Sequence, residues 1–377
     1  MVLIFLKKTI LCLTVFAVIA ALIPTAYADA PAVSAHSAIL MCADTGDILY
    51  EYNADEHMLI ASTTKIMTAI IAIENCDMNE AVTVENEWCC IEGSSMYLEP
   101  GKSYTVKELL SGMLVTSGND AATAIAFHVA DSEEEFAVMM NQKAAELGMN
   151  DSSFENPHGL DGEHHYSTAR DMATLARYCM ENEVFRELVA LKTVTIGELT
   201  FVNHNKLLWK CEGCKGIKTG YTIAAGRTLV SCCERNGLTL ICVTLNAPED
   251  WDDHMALYDY GFSEYSLTVF NKDSFSVLVP TVAGVNEYAA LRIENSIELL
   301  NDGSNDMKIE TELPRFLFAG GLEGEKVGKL RIFVNGELAA EENLVYTVSN
   351  DIDVNNKLSL PERILGYQAK PYYIVDR

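Results

Sequence analysis

Hydrophobic and polar positions divide this chain into stretches of different period. Apolar residues follow one another over 10–23, behind Lys7 and Lys8, and give way at Pro24 to Ala26-Tyr27-Ala28. A basic start, an apolar run and small residues at the two positions a signal peptidase reads predict an export leader over 1–28, cleaved after Ala28. A retained anchor would need about 17–25 apolar residues and a polar exit flank, and this run is shorter. Next, 37–41 and Ile48–Tyr52 flank Asp44-Thr45-Gly46-Asp47, a hairpin signal. Over 61–73 the pattern is apolar on most sides (Ile66, Met67, Ile70, Ile71), which predicts a buried helix. The stretch 106–180 reads as mostly helical, broken at Gly118-Asn119 and at Asn156-Pro157-His158-Gly159.

Strand character returns at 216–220. The runs 228–233 and Leu238–Leu245 enclose Arg235-Asn236-Gly237, the strongest short hairpin cue in the chain. A helix over 252–260 is expected to stop at Gly261. Beyond Ser263 the runs 275–279 and 329–334 alternate, Asn335-Gly336 marks another turn, and Asn301-Asp302-Gly303-Ser304-Asn305 is a loop. This predicts a helix-poor β domain over 263–377, after a larger domain over 29–262. The last residues show no amphipathic apolar face, so no helix lying on a membrane is expected there.

Composition narrows the function classes. Of 377 residues, 49% are hydrophobic and 21% charged, enough apolar material for a packed core. The net charge is -27, and the leader carries two lysines and no acid, so the mature chain sets 25 basic residues against 54 acidic. Such a surface repels nucleic acid and matches anionic headgroups poorly. Eleven cysteines are present, and ten remain without Cys12; free buried thiols or one disulfide both fit. Cys211-x-x-Cys214 with adjacent Cys232-Cys233 lacks the second spaced pair that a structural zinc site uses. No His-Glu-x-x-His occurs, and His164-His165 points to opposite sides of any regular element. His158 and His204 read as structural polar residues, and neither metal nor cofactor is expected.

Three short elements carry chemistry. Ser62-Thr63-Thr64-Lys65 opens the buried helix, with the lysine on the serine's face. A serine becomes a nucleophile when a base takes its proton, and a lysine can be that base once burial or a neighbouring cation lowers its pKa. Ser117-Gly118-Asn119 lies between two helical runs and offers a relaying hydroxyl and a substrate-gripping amide, although all three are ordinary turn formers. Lys218-Thr219-Gly220 ends a strand and offers a cation, a hydroxyl and a place for close backbone approach. The Gly213 to Thr219 stretch is no phosphate loop, because Ile217 stands where a glycine must precede the lysine. Each element alone is weak; the ordered set S-x-x-K, S-x-N and K-T-G marks penicillin-binding proteins and class A β-lactamases.

The chain resembles the serine D-alanyl-D-alanine carboxypeptidases, the low-molecular-weight penicillin-binding proteins. Besides the three elements, the resemblance rests on Phe154-Glu155-Asn156-Pro157-His158-Gly159-Leu160-Asp161, on Tyr166-Ser167-Thr168-Ala169-Arg170-Asp171-Met172-Ala173, on Asn203-His204-Asn205-Lys206-Leu207-Leu208, and on Gly216-Ile217-Lys218-Thr219-Gly220-Tyr221-Thr222 followed by Ala225-Gly226. It covers about 30–261, and Gly324-Glu325-Lys326-Val327-Gly328 is similar to the family's smaller β domain. It implies an α/β (α+β) fold: a five-stranded antiparallel sheet with helices on both faces, an all-helical lobe and a small C-terminal β domain. It implies Ser62, Lys65, Ser117 and Asn119 as catalytic residues, and Lys218, Thr219, Gly220 and Tyr221 as substrate-binding ones. The implied partners are peptidoglycan stem peptides ending in D-Ala-D-Ala, with β-lactams as covalent inhibitors.

Two departures stand out. Many members carry a basic residue near the last helix of the catalytic domain, where this chain has Asp250-Trp251-Asp252-Asp253-His254, similar to a sporulation-associated branch. The family's amphipathic C-terminal anchor has no counterpart, which argues against membrane attachment. Three other readings compete. A β-lactamase needs a glutamate to activate the deacylating water, and Glu146 with Asn150 has the spacing but sits at a helix end before Gly148. A DD-transpeptidase differs only in its acceptor. A non-catalytic cell-wall-binding protein would fit a chain without Ser62 or Lys65, and both are present.

Overall fold

The computed structural model describes residues 30–303, 306–349 and 351, with the backbone of the Tyr373–Val375 strand. The expected leader, the Ser304 and Asn305 end of the loop, and the segment expected to lack an amphipathic helix therefore fall wholly or mostly outside the described residues. Among the described residues no helix is long and apolar enough to cross a membrane.

Five strands form an antiparallel sheet in the spatial order Ile48–Tyr52, Ser37–Cys42, Leu238–Leu245, Gly226–Arg235, Cys214–Thr222. Ser37–Cys42 is buried along its whole length, as expected of a strand covered on both faces. Alternation then sorts its side chains between two cores. Ile39 and Met41 join Ile241 and Val243 under Ile66, Met67 and Ile70 of the Lys65–Asn75 helix. Leu40 and Cys42 join Leu240 and Cys242 under Leu257 and Tyr258 of the Asp250–Glu264 helix. The hairpin at Asn236-Gly237 is present with φ of 53° and 82°, the doubly left-handed turn that matches strand twist.

The helical lobe comprises Val106–Thr116, Asn119–Ala130 and Glu133–Glu146. Thr105 and Glu108 form a reciprocal capping box at the first, and Ser132 caps the third. The break at Gly118 is sharp: Ser117 takes a left-handed conformation at φ 64° and the chain re-enters a helix at Asn119. Two expectations need correction. The helix expected over 252–260 spans Asp250–Glu264 and runs through Gly261. A Cβ there would lie 2.6 Å from Leu240 Cδ1, so glycine serves close packing on the sheet and not termination. The helix expected over 61–73 begins as a 3-10 turn, Ala61–Thr64, and becomes α-helical only at Lys65.

Past Glu264 the described residues form strands and turns without a helix. Strands Met307–Glu312, Lys326–Val334, Glu337–Tyr346, Tyr288–Ile293 and Ser276–Val282 are neighbours in one sheet. They enclose a core of their own around Val277, Leu291, Leu330, Ile332 and Leu344. Asn335-Gly336 forms the expected left-handed turn, with φ of 52° and 84°. Leu267 and Leu300 pack against the Leu257 and Tyr258 cluster, joining this part to the first sheet. The ten described cysteines are all free thiols. Cys232 belongs to one core and Cys233 to the other, so successive residues of one strand point their sulfurs apart.

Candidate active site

The site begins with a strained turn. Ala61 adopts φ 46°, rare for a residue with a Cβ, immediately before Ser62. Hydroxyls hold the turn: Thr63 Oγ1 and Thr228 Oγ1 donate to the Ile60 carbonyl at 2.6 and 3.1 Å, and Thr64 Oγ1 donates to Ala61 O at 2.8 Å. In a 3-10 turn residues i and i+3 eclipse one another. Ser62 Oγ and Lys65 Nζ accordingly lie 2.9 Å apart.

Lys65 is completely buried, and its Nζ also donates to Asn119 Oδ1 at 2.7 Å and to the His158 carbonyl at 2.5 Å. Burial above all, and then the charge of Lys218, pushes the Lys65 amine well below its ordinary range; Asp120 opposes the shift without reversing it. Lys218 is also buried, and burial lowers it to about 7. Its Nζ donates to Ser117 Oγ at 3.0 Å and to the Thr219 carbonyl at 2.7 Å. The three expected elements therefore meet through side chains: Ser62 to Lys65, Lys65 to Asn119, and Lys218 to Ser117.

The contacts revise how some of these residues act. Asn119 uses Oδ1 on Lys65 and donates Nδ2 to the Glu92 carbonyl, while its backbone N–H bonds Ser94 O. It is first of all a clamp on the lysine. Gly220 was expected to allow close backbone approach, and the backbone of the Ser62 turn lies beside it. A Cβ at Gly220 would lie 2.4 Å from Thr228 Oγ1 and 2.9 Å from Ser62 N. Tyr221 follows with its side chain exposed.

Other contributors carry no motif of their own. The His158 carbonyl could not be read from a side-chain pattern; the only signal was the break at Asn156-Pro157-His158-Gly159. Gly159 sits so close to the Ser62 turn that a Cβ would lie 1.9 Å from Ala61 O. His158 itself is buried and held neutral, lowered to about 3 by burial and then by Lys65. Asp120 takes hydrogen bonds from Ser95 Oγ, Met96 N and Leu98 N, which fixes the loop beside Asn119.

Ser62, Ser117, Thr219, Gly220 and Tyr221 open onto a cleft of about 880 Å³, and His204, Trp209, Arg227 and Trp251 line its other walls. His204 is thus a wall residue of the cleft. The described ligand-type side chains close enough to share a cation are Cys76, Glu80 and His128. They gather at the far end of the helix that begins at Lys65, roughly 16 Å away at about 1.5 Å per residue.

A serine after a strained residue, a buried lysine of lowered pKa beside it and a second lysine bonded to a serine are the arrangement expected of acyl-transfer machinery. Comparison with known proteins agrees. Residues 25–249 match the family model described as D-alanyl-D-alanine carboxypeptidase. The D-alanyl-D-alanine carboxypeptidase DacF of Bacillus subtilis (strain 168) is 34% identical over 324 residues, covering 81% of this chain and 83% of that protein. DacC of Escherichia coli (strain K12), of the same description, is 36% identical over 264 residues, covering 63% of this chain and 65% of its own. Penicillin binding protein 5 from Haemophilus influenzae superposes with TM-score 0.69 at 26% identity, over 85% of this chain and 98% of that one. A mutant of the Streptomyces K15 DD-transpeptidase superposes with TM-score 0.60 at 31% identity, over 62% of this chain and 99% of that one. This chain belongs to the D-alanyl-D-alanine carboxypeptidase family of serine peptidases.

Proposed function

We propose that Ser62 Oγ attacks the penultimate D-alanine carbonyl of a peptidoglycan stem peptide ending in D-Ala-D-Ala, and that neutral Lys65 takes the hydroxyl proton as the new bond forms. One observation carries this reading. A neutral amine has two N–H donors and one lone pair. Asn119 Oδ1 and the His158 carbonyl accept the two donors, which leaves the lone pair for Ser62 Oγ at 2.9 Å. A protonated Lys65 would have no pair to offer.

The developing oxyanion is met by the backbone N–H groups of Ser62 and Tyr221, an assignment supported by the closeness of Gly220 to Ser62 N. As the C–N bond breaks, Ser117 passes a proton to the leaving D-alanine, with Lys218 bonded to its oxygen. The Thr219 hydroxyl faces the substrate's terminal carboxylate, with the Lys218 charge behind it. The remaining N–H of Asn119 and the backbone beside Gly220 hold the penultimate amide. Water then cleaves the ester and frees Ser62. β-Lactams, which imitate the dipeptide, acylate the same oxygen.

The β-lactamase reading loses its candidate glutamate, because Glu146 is exposed and paired with Lys143 at 2.8 Å. A peptidoglycan substrate puts the enzyme's work outside the cytoplasmic membrane, and the leader pattern over 1–28 is the route proposed. The catalytic domain is taken as 29–262 and the β-rich accessory domain as 263–377, a division supported by their separate cores. The test is D-alanine release from a diacetyl-lysyl-D-Ala-D-Ala peptide by the wild type and by Ser62→Ala. Release that requires Ser62 supports the proposal; no release from the wild type contradicts it.

A further inference from the structure

The substrate's terminal carboxylate needs a cation that reaches the cleft, and Lys218 does not present one. Its Nζ is buried and turned to Ser117 and the Thr219 carbonyl, so its charge acts from behind the strand. The Asp250–Glu264 helix brings an acid and a tryptophan, Asp250 and Trp251, to the wall of the cleft. We infer that Arg227 is the carboxylate anchor of this enzyme, held ready by Asp250 and Trp251.

Arg227 stands near the start of the Gly226–Arg235 strand, directly opposite Tyr221 in the antiparallel pair, and lines the cleft with Ser62 and Thr219. Its Nη2 donates to Asp250 Oδ1 at 2.6 Å, and its guanidinium carbon lies 5.3 Å from the Trp251 ring centroid. The Asp250 side chain is 3% exposed and that of Arg227 39%, so the pair is anchored on the acid's side and open on the arginine's. Arg227 Nε is buried and has no hydrogen-bond partner. A guanidinium carries five N–H donors in a fixed plane, and the bond to Asp250 occupies one. The ring and the acid together fix the plane's orientation, which reduces the entropy lost when a carboxylate docks.

The other cations of the cleft wall suit this task less. Lys206 precedes and Lys210 ends a single four-residue helix, and both residues are exposed. A flexible ammonium is a point charge; a pinned guanidinium can take both oxygens of a carboxylate at once. Asp250 does not cancel the anchor, because it bonds one nitrogen and the arginine side chain stays open to the cleft. Asp250 and Trp251 thus reach Arg227 from the helix packed beside its strand, and Trp251 supplies the surface on which the guanidinium rests.

This inference rests on the carboxypeptidase reading, and its test separates the two. Release of the C-terminal residue is measured for diacetyl-lysyl-D-Ala-D-Ala and for the same peptide ending in D-alaninamide. Each is assayed with wild type, Arg227→Gln and Arg227→Lys, with a thermal melt for each variant. Loss of a hydrogen bond to a charged group predicts that Arg227→Gln lowers kcat/KM for the acid about 10- to 150-fold. The amide, which has no carboxylate to anchor, should change less than about threefold. Arg227→Lys keeps the charge and loses the fork, so it should fall between the two on the acid alone; it carries the test if the glutamine variant does not fold. Equal losses on both peptides, or no loss on the acid, overturn the anchor and make Arg227 a structural residue. A wild type that cleaves neither peptide overturns the reaction assigned to Ser62, and the anchor with it.

Discussion

Lys65 Nζ lies 2.9 Å from Ser62 Oγ because the residues between them form a 3-10 turn that brings side chains three positions apart into register. The turn is held open at Ala61, whose φ of 46° costs of order 1–3 kcal/mol in a residue with a Cβ. Four neighbouring contacts offset it: the hydroxyls of Thr63, Thr64 and Thr228, and the close approach of Gly159. The geometry of the proposed nucleophile is thus a property of the surroundings more than of the Ser62-to-Lys65 segment.

The first prediction concerns the base. Arginine is too basic to be deprotonated in a protein, so Lys65→Arg keeps a cation and removes the lone pair. Penicillin acylation of Lys65→Arg should slow by about 10²–10⁴, the usual worth of a positioned general base. Stopped-flow acylation rates check this, and an unchanged rate would remove Lys65 from the proton transfer.

Asn119 allows a sharper experiment. Asn119→Asp keeps the shape and sets a carboxylate 2.7 Å from Lys65 Nζ, where the amide oxygen now lies. An adjacent opposite charge favours the protonated amine, typically by about 1–3 pH units. The acid limb of the acylation pH profile should move to higher pH by that amount. A profile that merely drops without shifting would mean that Asn119 positions Lys65 without touching its protonation.

Close packing gives a prediction about Gly220. An added methyl group would meet Thr228 Oγ1 at 2.4 Å and Ser62 N at 2.9 Å, in the turn that carries Ser62. Gly220→Ala should cost about 1–3 kcal/mol of stability, the usual range for overpacking. Activity should fall by far more than partial unfolding explains. Urea midpoints measured beside acylation rates separate the two effects, and a variant with wild-type acylation would show that the turn yields freely.

How much of this was legible in the sequence varies with the kind of signal. Asn236-Gly237 and Asn335-Gly336 gave their turns directly, because a left-handed pair needs those residue types. Ile66, Met67, Ile70 and Ile71 gave a buried helix by covering most of its circumference. The 3-10 start and the strain at Ala61 were not legible, since nothing in Ala-Ser-Thr-Thr demands them; strand, loop and helix impose them together. A backbone group such as the His158 carbonyl has no side-chain signature. Gly261 misled because glycine ends helices more often than it packs inside them, and only the nearness of Leu240 reveals its use. Arg227 begins an ordinary strand, and its meaning depends on Asp250 and Trp251 arriving from another element.

Acid stability draws on the buried imidazoles, among them His254, His158 and His165. His254, between Ser231 Oγ at 2.7 Å and Thr244 Oγ1 at 3.0 Å, is held at about 3, chiefly by burial. His158 is also held at about 3, by burial and then by Lys65. The unfolded chain takes up these protons near the ordinary 6.5, and the folded chain refuses them until about 3. Stability should therefore be intact above pH 6.5 and decline as the pH falls toward 3. His254→Gln, which does not titrate, should give a shallower decline in urea midpoint against pH. An equal slope in both proteins would contradict the assigned protonation.

Ser62 Oγ is the atom proposed to be acylated, under the control of Lys65. Wild type, Ser62→Ala and Lys65→Arg are each incubated with penicillin, digested and mapped by mass spectrometry. One penicilloyl adduct is expected on the wild-type peptide that carries Ser62, none on Ser62→Ala, and one forming far more slowly on Lys65→Arg. A wild type left unmodified, or an adduct on any other residue, would contradict it.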